Sequence, residues 1–171
     1  MVSRRVIFHN PERILAPYVS DGMIAMDIGC GMGYFTLPMS GMVGKNGKVV
    51  AVDLQSKMLE GLKRYARKAD AHNITPHQCS QDALHVEQWN GAVDFALVFW
   101  MLHEVPDPER LIRELHAALS PKGKLLFVEP KLHVSSAAFQ RSVKIMMETG
   151  FTEIGAPKIS MSRTALFESL V

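Results

Sequence analysis

Short apolar runs alternate along this chain with longer segments in which apolar positions recur at helical spacing. The first run covers 23–28 and ends at glycines, and a helical segment over 34–43 follows. Pro38 is compatible with that helix only in its first turn, because proline lacks the N–H a helix interior needs. Residues 48–53 read as a second strand behind an Asn46-Gly47 turn. Over 56–69, Met58, Leu59, Leu62, Tyr65, Ala66 and Ala69 form one apolar stripe, and a weaker strand follows over 74–79. The strongest strand, 93–100, is apolar on both faces, as a central parallel strand must be.

Asp107 is placed to cap a helix with Pro108 at its first position, burying Leu111, Ile112, Leu115 and Leu119 before Pro121 and Gly123 end it. A fifth strand is expected over 124–129. Ser135 or Ser136 then caps a helix that Gly150 terminates. The runs 151–154 and 164–168 have too little between them for a helix, so they should pair as an antiparallel hairpin. This alternation predicts an α/β fold, a three-layer α/β/α sandwich with a mostly parallel sheet. A single domain over 1–171 is expected, with an N-terminal helical segment over about 1–20 and a core over 21–171.

Composition narrows the class. At 171 residues the chain can bury a core without staples, and 47% hydrophobic with 21% charged residues suits a soluble globular protein. Nineteen basic against seventeen acidic side chains leave +2, too little to point to a nucleic-acid partner. Cys30 and Cys79 match no disulfide scaffold or zinc spacing and read as thiols of a reducing cytosol, so a cytoplasmic location is expected. Arg4 and Arg5 precede no long apolar stretch, because Asn10-Pro11 interrupts it, so no secretory signal is expected. The longest apolar run, 95–102, is far below the ~20 residues of a membrane helix, and no membrane span is expected. The eleven methionines read as core filler, with Met32, Met101 and Met161 as candidate exceptions.

Glycines 29, 31 and 33 stand between the first strand and a helix, where the missing Cβ lets backbone approach a ligand. The Gly-x-Gly-x-Gly spacing differs from the Gly-x-Gly-x-x-Gly of a pyrophosphate loop. Asp27, immediately before it, would repel a phosphate and attract an ammonium. S-adenosylmethionine carries an ammonium and a sulfonium and no phosphate, which favours it over a dinucleotide. Asp53, ending the second strand, is placed for ribose hydroxyls, and Leu54 for packing on adenine. Asp82 is placed for the adenine amino group, or as a helix cap for 83–86, or both.

With these residues the chain resembles the class I (Rossmann-like) methyltransferases over essentially its whole length. Asp27-x-Gly-x-Gly-x-Gly33 is similar to their first motif, Ala51-Val-Asp53 to the second and Gln81-Asp82-Ala83 to the third. Residues 94–100 with Leu102-His103-Glu104-Val105-Pro106-Asp107 resemble the fourth, and Leu119-Ser-Pro-Lys-Gly-Lys124 the turn before strand five. The branch it is most similar to includes the ubiquinone/menaquinone C-methyltransferases. The resemblance implies a seven-stranded sheet, S-adenosylmethionine as cofactor, and contacts to it from Asp27, Gly29, Cys30, Gly31, Gly33, Asp53, Leu54, Asp82, Ala83, Phe99 and Trp100. It places the transferred methyl near Phe99, Trp100 and His103.

Transfer from a sulfonium is an in-line displacement in which positioning supplies most of the catalysis. A base matters only if the acceptor keeps a proton, and His103 and Glu104 are the candidates, with Glu129 and His133 flanking the same end of the sheet or binding each other. No metal is expected, because 103–107 lacks a second histidine and Pro106 forbids the helix that would present one. Trp100-Met-Leu-His103 stands where an Asn-Pro-Pro-Tyr of amino-methylating enzymes would be, so a small-molecule acceptor is the expectation. The alternatives are an RNA or protein substrate, for which Lys131, Lys144 and Lys158 are a thin beginning, and a non-catalytic cofactor-binding protein. Residues 131–134 are too short for a lid, which leaves the acceptor site open, completed by a second subunit as a homodimer, or covered by Phe8 and His9.

Overall fold

The structure is a computed structural model and describes residues 9–170; Arg4, Arg5 and Phe8 lie outside them. Seven strands form one sheet: β1 (Ile24–Ile28), β2 (Lys48–Asp53), β3 (Ile74–Gln78), β4 (Val93–Phe99), β5 (Leu119–Pro130), β6 (Phe151–Gly155) and β7 (Ser162–Ser169). Their order is β3-β2-β1-β4-β5-β7-β6. β1 to β5 run parallel, and β7 is antiparallel to both β5 and β6. The order reverses between β1 and β4, a switch point at whose carboxyl end such sheets open a crevice.

Among the described residues, five α-helices flank the sheet: α1 (Pro11–Leu15), α2 (Thr36–Val43), α3 (Ser56–Lys68), α4 (Pro108–Ala118) and α5 (Ser136–Thr149). Their ends follow local chemistry. Asn10, Asp107 and Ser135 side chains each accept from a backbone N–H in the first turn of α1, α4 and α5. Gly150 closes α5 at φ +117. Pro38 falls in the first turn of α2, where no hydrogen bond is lost.

Alternation along the strands divides the core in two. Ala25, Val49, Phe95, Leu97, Leu126 and Val128 meet Leu15, Phe35, Met39 and Val43 on one face. Met26, Val50, Ala96, Val98, Leu125 and Phe127 meet Ile112, Leu115, Phe139 and Met146 on the other. Burying each large side chain contributes roughly 1.5–3 kcal/mol.

The structure differs from the pattern reading at several points. Leu119 begins β5 instead of ending a helix, because Val93 pairs with Leu119 and Phe95 with Lys124, leaving residues 120–123 as a bulge. Among the described residues of the expected N-terminal helical segment, the helix covers Pro11–Leu15. Tyr34 precedes α2, and Trp100 lies past the end of β4. The helix expected over 83–86 does not form. Ser80 Oγ accepts from Ala83 N there (3.1 Å), and Glu114 accepts from Leu84 N (2.6 Å), so the backbone is satisfied without a helix.

Candidate cofactor and active site

The loop after β1 is tied to β2. Gly29 N and Cys30 N donate to Val52 O (2.9 and 3.0 Å), and Gly31 N donates to Asp53 Oδ2 (2.8 Å). Asp53 Oδ1 accepts from Gln55 N (2.9 Å). A carboxylate offers about four lone pairs; these two bonds leave the others for a diol. Gly31 adopts φ +55, and a Cβ there would point into open space, so the residue offers bare backbone to a ligand.

Beside this loop lies a cavity of about 340 Å³, within the roughly 300–1,000 Å³ of small-molecule sites. Gly29, Gly31, Asp53 and Leu54 line one side of it. Cys79, Asp82, Ala83 and Leu84 line another, and Met101, Glu104, Asp107 and Leu111 a third. Asp53, Asp82, Glu104 and Asp107 make the lining anionic, and among the described residues no lysine or arginine borders it. An anionic, partly apolar cleft suits a cation with an aromatic portion and opposes a phosphate.

Other expected ligands sit elsewhere. Asp27 is buried against α2, where it accepts from Thr36 Oγ1 (2.6 Å). Cys30 packs with Ala51, Leu59 and Leu62, and burial beside Asp27 and Asp53 raises its thiol pKa far above the usual value, keeping it protonated. An added Cβ on Gly33 would lie 2.5 Å from Leu62 Cδ1, so that glycine serves packing on α3. Phe99 lies in the opposite core against Phe35, with ring centroids 4.5 Å apart. Trp100 turns at φ +56, and its Nε1 donates to Ser162 Oγ (3.0 Å). His9 does not cover the cavity: its ring meets Phe99 and Trp100 edge-on, and its Nε2 is 2.9 Å from Ser160 O. Ala83 borders the cavity, but its N–H is taken by Ser80.

His103 stands in the short 3₁₀ turn Leu102–Glu104, past β4. Its Nδ1 is 2.5 Å from Glu129 Oε2, and its backbone N donates to Glu129 Oε1 (3.2 Å). Glu129 is therefore the partner of His103 and not of His133, whose ring centroid lies 6.3 Å from that of His103. Burial raises the Glu129 pKa, against the attraction of His103. The other ring nitrogen, Nε2, lies 3.9 Å from Glu104 Oε1, and Glu104 borders the cavity. Met101, a candidate exception among the methionines, lines the cavity, while Met32 and Met161 are exposed. Leu84, Leu111 and Cys79 also line the cavity; the sequence signals them only by position, Cys79 just past β3, Leu84 in the loop that follows and Leu111 in the first turn of α4.

Among the described residues no helix is long and apolar enough to cross a membrane. Residues 25–123 match the methyltransferase domain family. Curated relatives include the demethylmenaquinone methyltransferase of Lactococcus lactis, 30% identical over 129 residues. That match spans 74% of this chain and 50% of the relative. The enzyme of that name from Staphylococcus saprophyticus is 32% identical over 111 residues, covering 65% of this chain and 46% of the relative. The chain thus spans about half the length of these curated relatives. Among solved structures, a SAM-dependent methyltransferase from Aquifex aeolicus superposes with a TM-score of 0.85 at 22% identity, over 100% of this chain and 94% of that one. Fibrillarin from Aeropyrum pernix, solved with natively bound S-adenosyl-L-methionine, superposes with a TM-score of 0.70 at 18% identity, over 88% of this chain and 68% of that one.

Proposed function

The chain belongs to the class I S-adenosylmethionine-dependent methyltransferases, and from that membership we propose that it methylates a small aromatic acceptor of the quinol or phenol class. The observation that carries the reading is the cavity beside Gly31 and Asp53, anionic and without a lysine or arginine among its described lining. The names of the curated relatives supply the acceptor class. When bound, S-adenosylmethionine supplies an electrophilic methyl carbon on a sulfonium.

This chain's residues then have separable tasks. Asp53 holds the ribose hydroxyls with its remaining lone pairs, Asp82 the adenine amino group, and Leu54, Leu84 and Met101 enclose the apolar part of the cofactor. Gly29 and Gly31 admit the methionine end to the backbone. Glu104 and Asp107 add negative charge at the wall nearest β4. His103 takes the acceptor's proton through Nε2, a step worth about 10²–10⁴-fold.

The test is transfer of label from methyl-labelled S-adenosylmethionine to naphthalene-1,4-diol, with bulk RNA and bulk protein in parallel. Label in the diol supports the reading. Label in RNA or protein alone, or cofactor binding without transfer to any of the three, overturns it.

A further inference from the structure

The proposed reading makes His103 a base, but an imidazole can serve only if the nitrogen facing the acceptor is unprotonated. We propose that Glu129 is a positioning residue that fixes this tautomer, and that the pair selects an acceptor which must lose a proton to be methylated. Three observations carry it. The Glu129 side chain is buried, yet it ends on a group at the active-site end of the sheet and not in the core. Both of its oxygens are engaged by the turn that carries His103: Oε2 by the ring Nδ1 and Oε1 by the backbone N–H of His103, with a further backbone N–H from Leu102. The remaining ring nitrogen, Nε2, lies 3.9 Å from Oε1 of Glu104, a residue that borders the cavity although His103 itself does not.

Geometry dictates the consequence. A carboxylate only accepts hydrogen bonds, so Nδ1 opposite it must carry the proton and Nε2 must hold the lone pair. The same two bonds hold the ring against rotation, because the backbone bond fixes the turn and the side-chain bond fixes the imidazole plane. The charged and titratable groups facing the ring are Glu129 from β5, Glu104 from its own turn and His133 from the loop after β5. In the proposed step the acceptor's O–H or C–H proton passes to Nε2, and the imidazolium later releases it to solvent. An acceptor already anionic or aprotic at neutral pH would gain nothing from such an arrangement, so the pair points to a quinol, phenol or acidic carbon.

The experiment is long-range ¹H–¹⁵N spectroscopy of histidine-labelled full chain at pH 8.5, with kinetics on naphthalene-1,4-diol alongside. Wild type should show His103 as the Nδ1–H tautomer. In E129Q the amide oxygen must serve the backbone N–H, leaving the NH₂ to donate to Nδ1, so the tautomer should switch to Nε2–H. The kcat should fall at least 100-fold, with KM and the Kd for S-adenosylhomocysteine within twofold of wild type. An Nε2–H tautomer in wild type overturns the proposal, as does an unchanged tautomer in E129Q. A lowered melting temperature in which KM, Kd and kcat drift together would make Glu129 a structural strut only. The spectra need no turnover, so an incorrect acceptor class cannot be mistaken for failure of the tautomer assignment.

Discussion

Alanine at Gly31 and alanine at Gly33 should fail in different ways, although only Met32 separates the two glycines in the same loop. Both have positive φ, +55 and +96, so each alanine carries roughly 1–2 kcal/mol of backbone strain. At Gly33 the new Cβ also lands 2.5 Å from Leu62 Cδ1, whose side chain is fully buried. Overpacking adds about 1–3 kcal/mol, for a total of roughly 2–5. In a chain of this size each kcal/mol lowers Tm by about 2–4 °C, so G33A should melt on the order of 10 °C below wild type. G31A meets no atom within 4 Å and should lose about half as much or less. Its methyl group, however, enters the cavity, where it should weaken S-adenosylhomocysteine binding at least tenfold, or about 1.4 kcal/mol. Thermal melts give the first quantity, and titration calorimetry well below both melting points gives the second. If G33A lost more affinity than G31A while folded, or G31A bound like wild type, the cofactor would not lie where the cavity puts it.

Three further outcomes follow from other contacts. D53A should raise the Kd for S-adenosylhomocysteine more than tenfold, because it removes the proposed ribose acceptor and strands the N–H groups of Gly31 and Gln55, whereas H103A should change it less than threefold; equal losses by calorimetry would misplace the adenosine. E114A frees Leu84 N and His85 N and should cost about 1–3 kcal/mol. Hydrogen exchange should accelerate over residues 83–86 in that variant, and unchanged protection there would contradict the brace. Burial raises the Glu129 pKa above the usual 4.5, so the fold holds that proton more tightly than the unfolded chain does. The associated stability is full below about pH 4.5 and fades as pH rises through the raised value. Relative to E129Q, wild-type Tm should therefore fall as pH rises above about 4.5, and a flat difference would contradict this.

Much of the fold was legible because its signals are local. Asn46-Gly47, Asp107-Pro108, Ser135 and Gly150 act within one turn of themselves, and the apolar period of α3 needs no distant partner. What escaped depends on residues far apart in the chain. Leu119 looks helical until Val93 recruits it into β5. Asp82 looks like a cap until Ser80 and Glu114 satisfy the backbone that a helix would have used. At the site, Asp53 stands at the cavity as its position at the end of β2 implies. The separate roles of Gly31 and Gly33 are invisible without knowing that Leu62 sits over only one of them. The attachment of Glu129 to His103 joins two strands' ends, and no spacing rule encodes it.

The negative charge at the cavity comes from other acids than the one nearest the glycines in sequence. Asp27, the acid nearest the glycines in sequence, is turned toward Thr36 and does not border the cavity. The anionic lining comes from Asp53, Asp82, Glu104 and Asp107, contributed by β2, the loop after β3, the His103 turn and the cap of α4. A unit positive charge about 5 Å from one such carboxylate gains on the order of 3 kcal/mol at an effective dielectric near 20, and a phosphate loses as much. A pyrophosphate would further need a helix N-terminus at the loop. Here α2 begins only at Thr36, beyond the turn that follows Gly31, and its N-cap Phe35 offers no side-chain cap. Charge and helix placement are independent features, set by different residues, and both oppose a dinucleotide. The ribose contact proposed for Asp53 would be common to the two kinds of cofactor, which is why that residue alone could never have separated them.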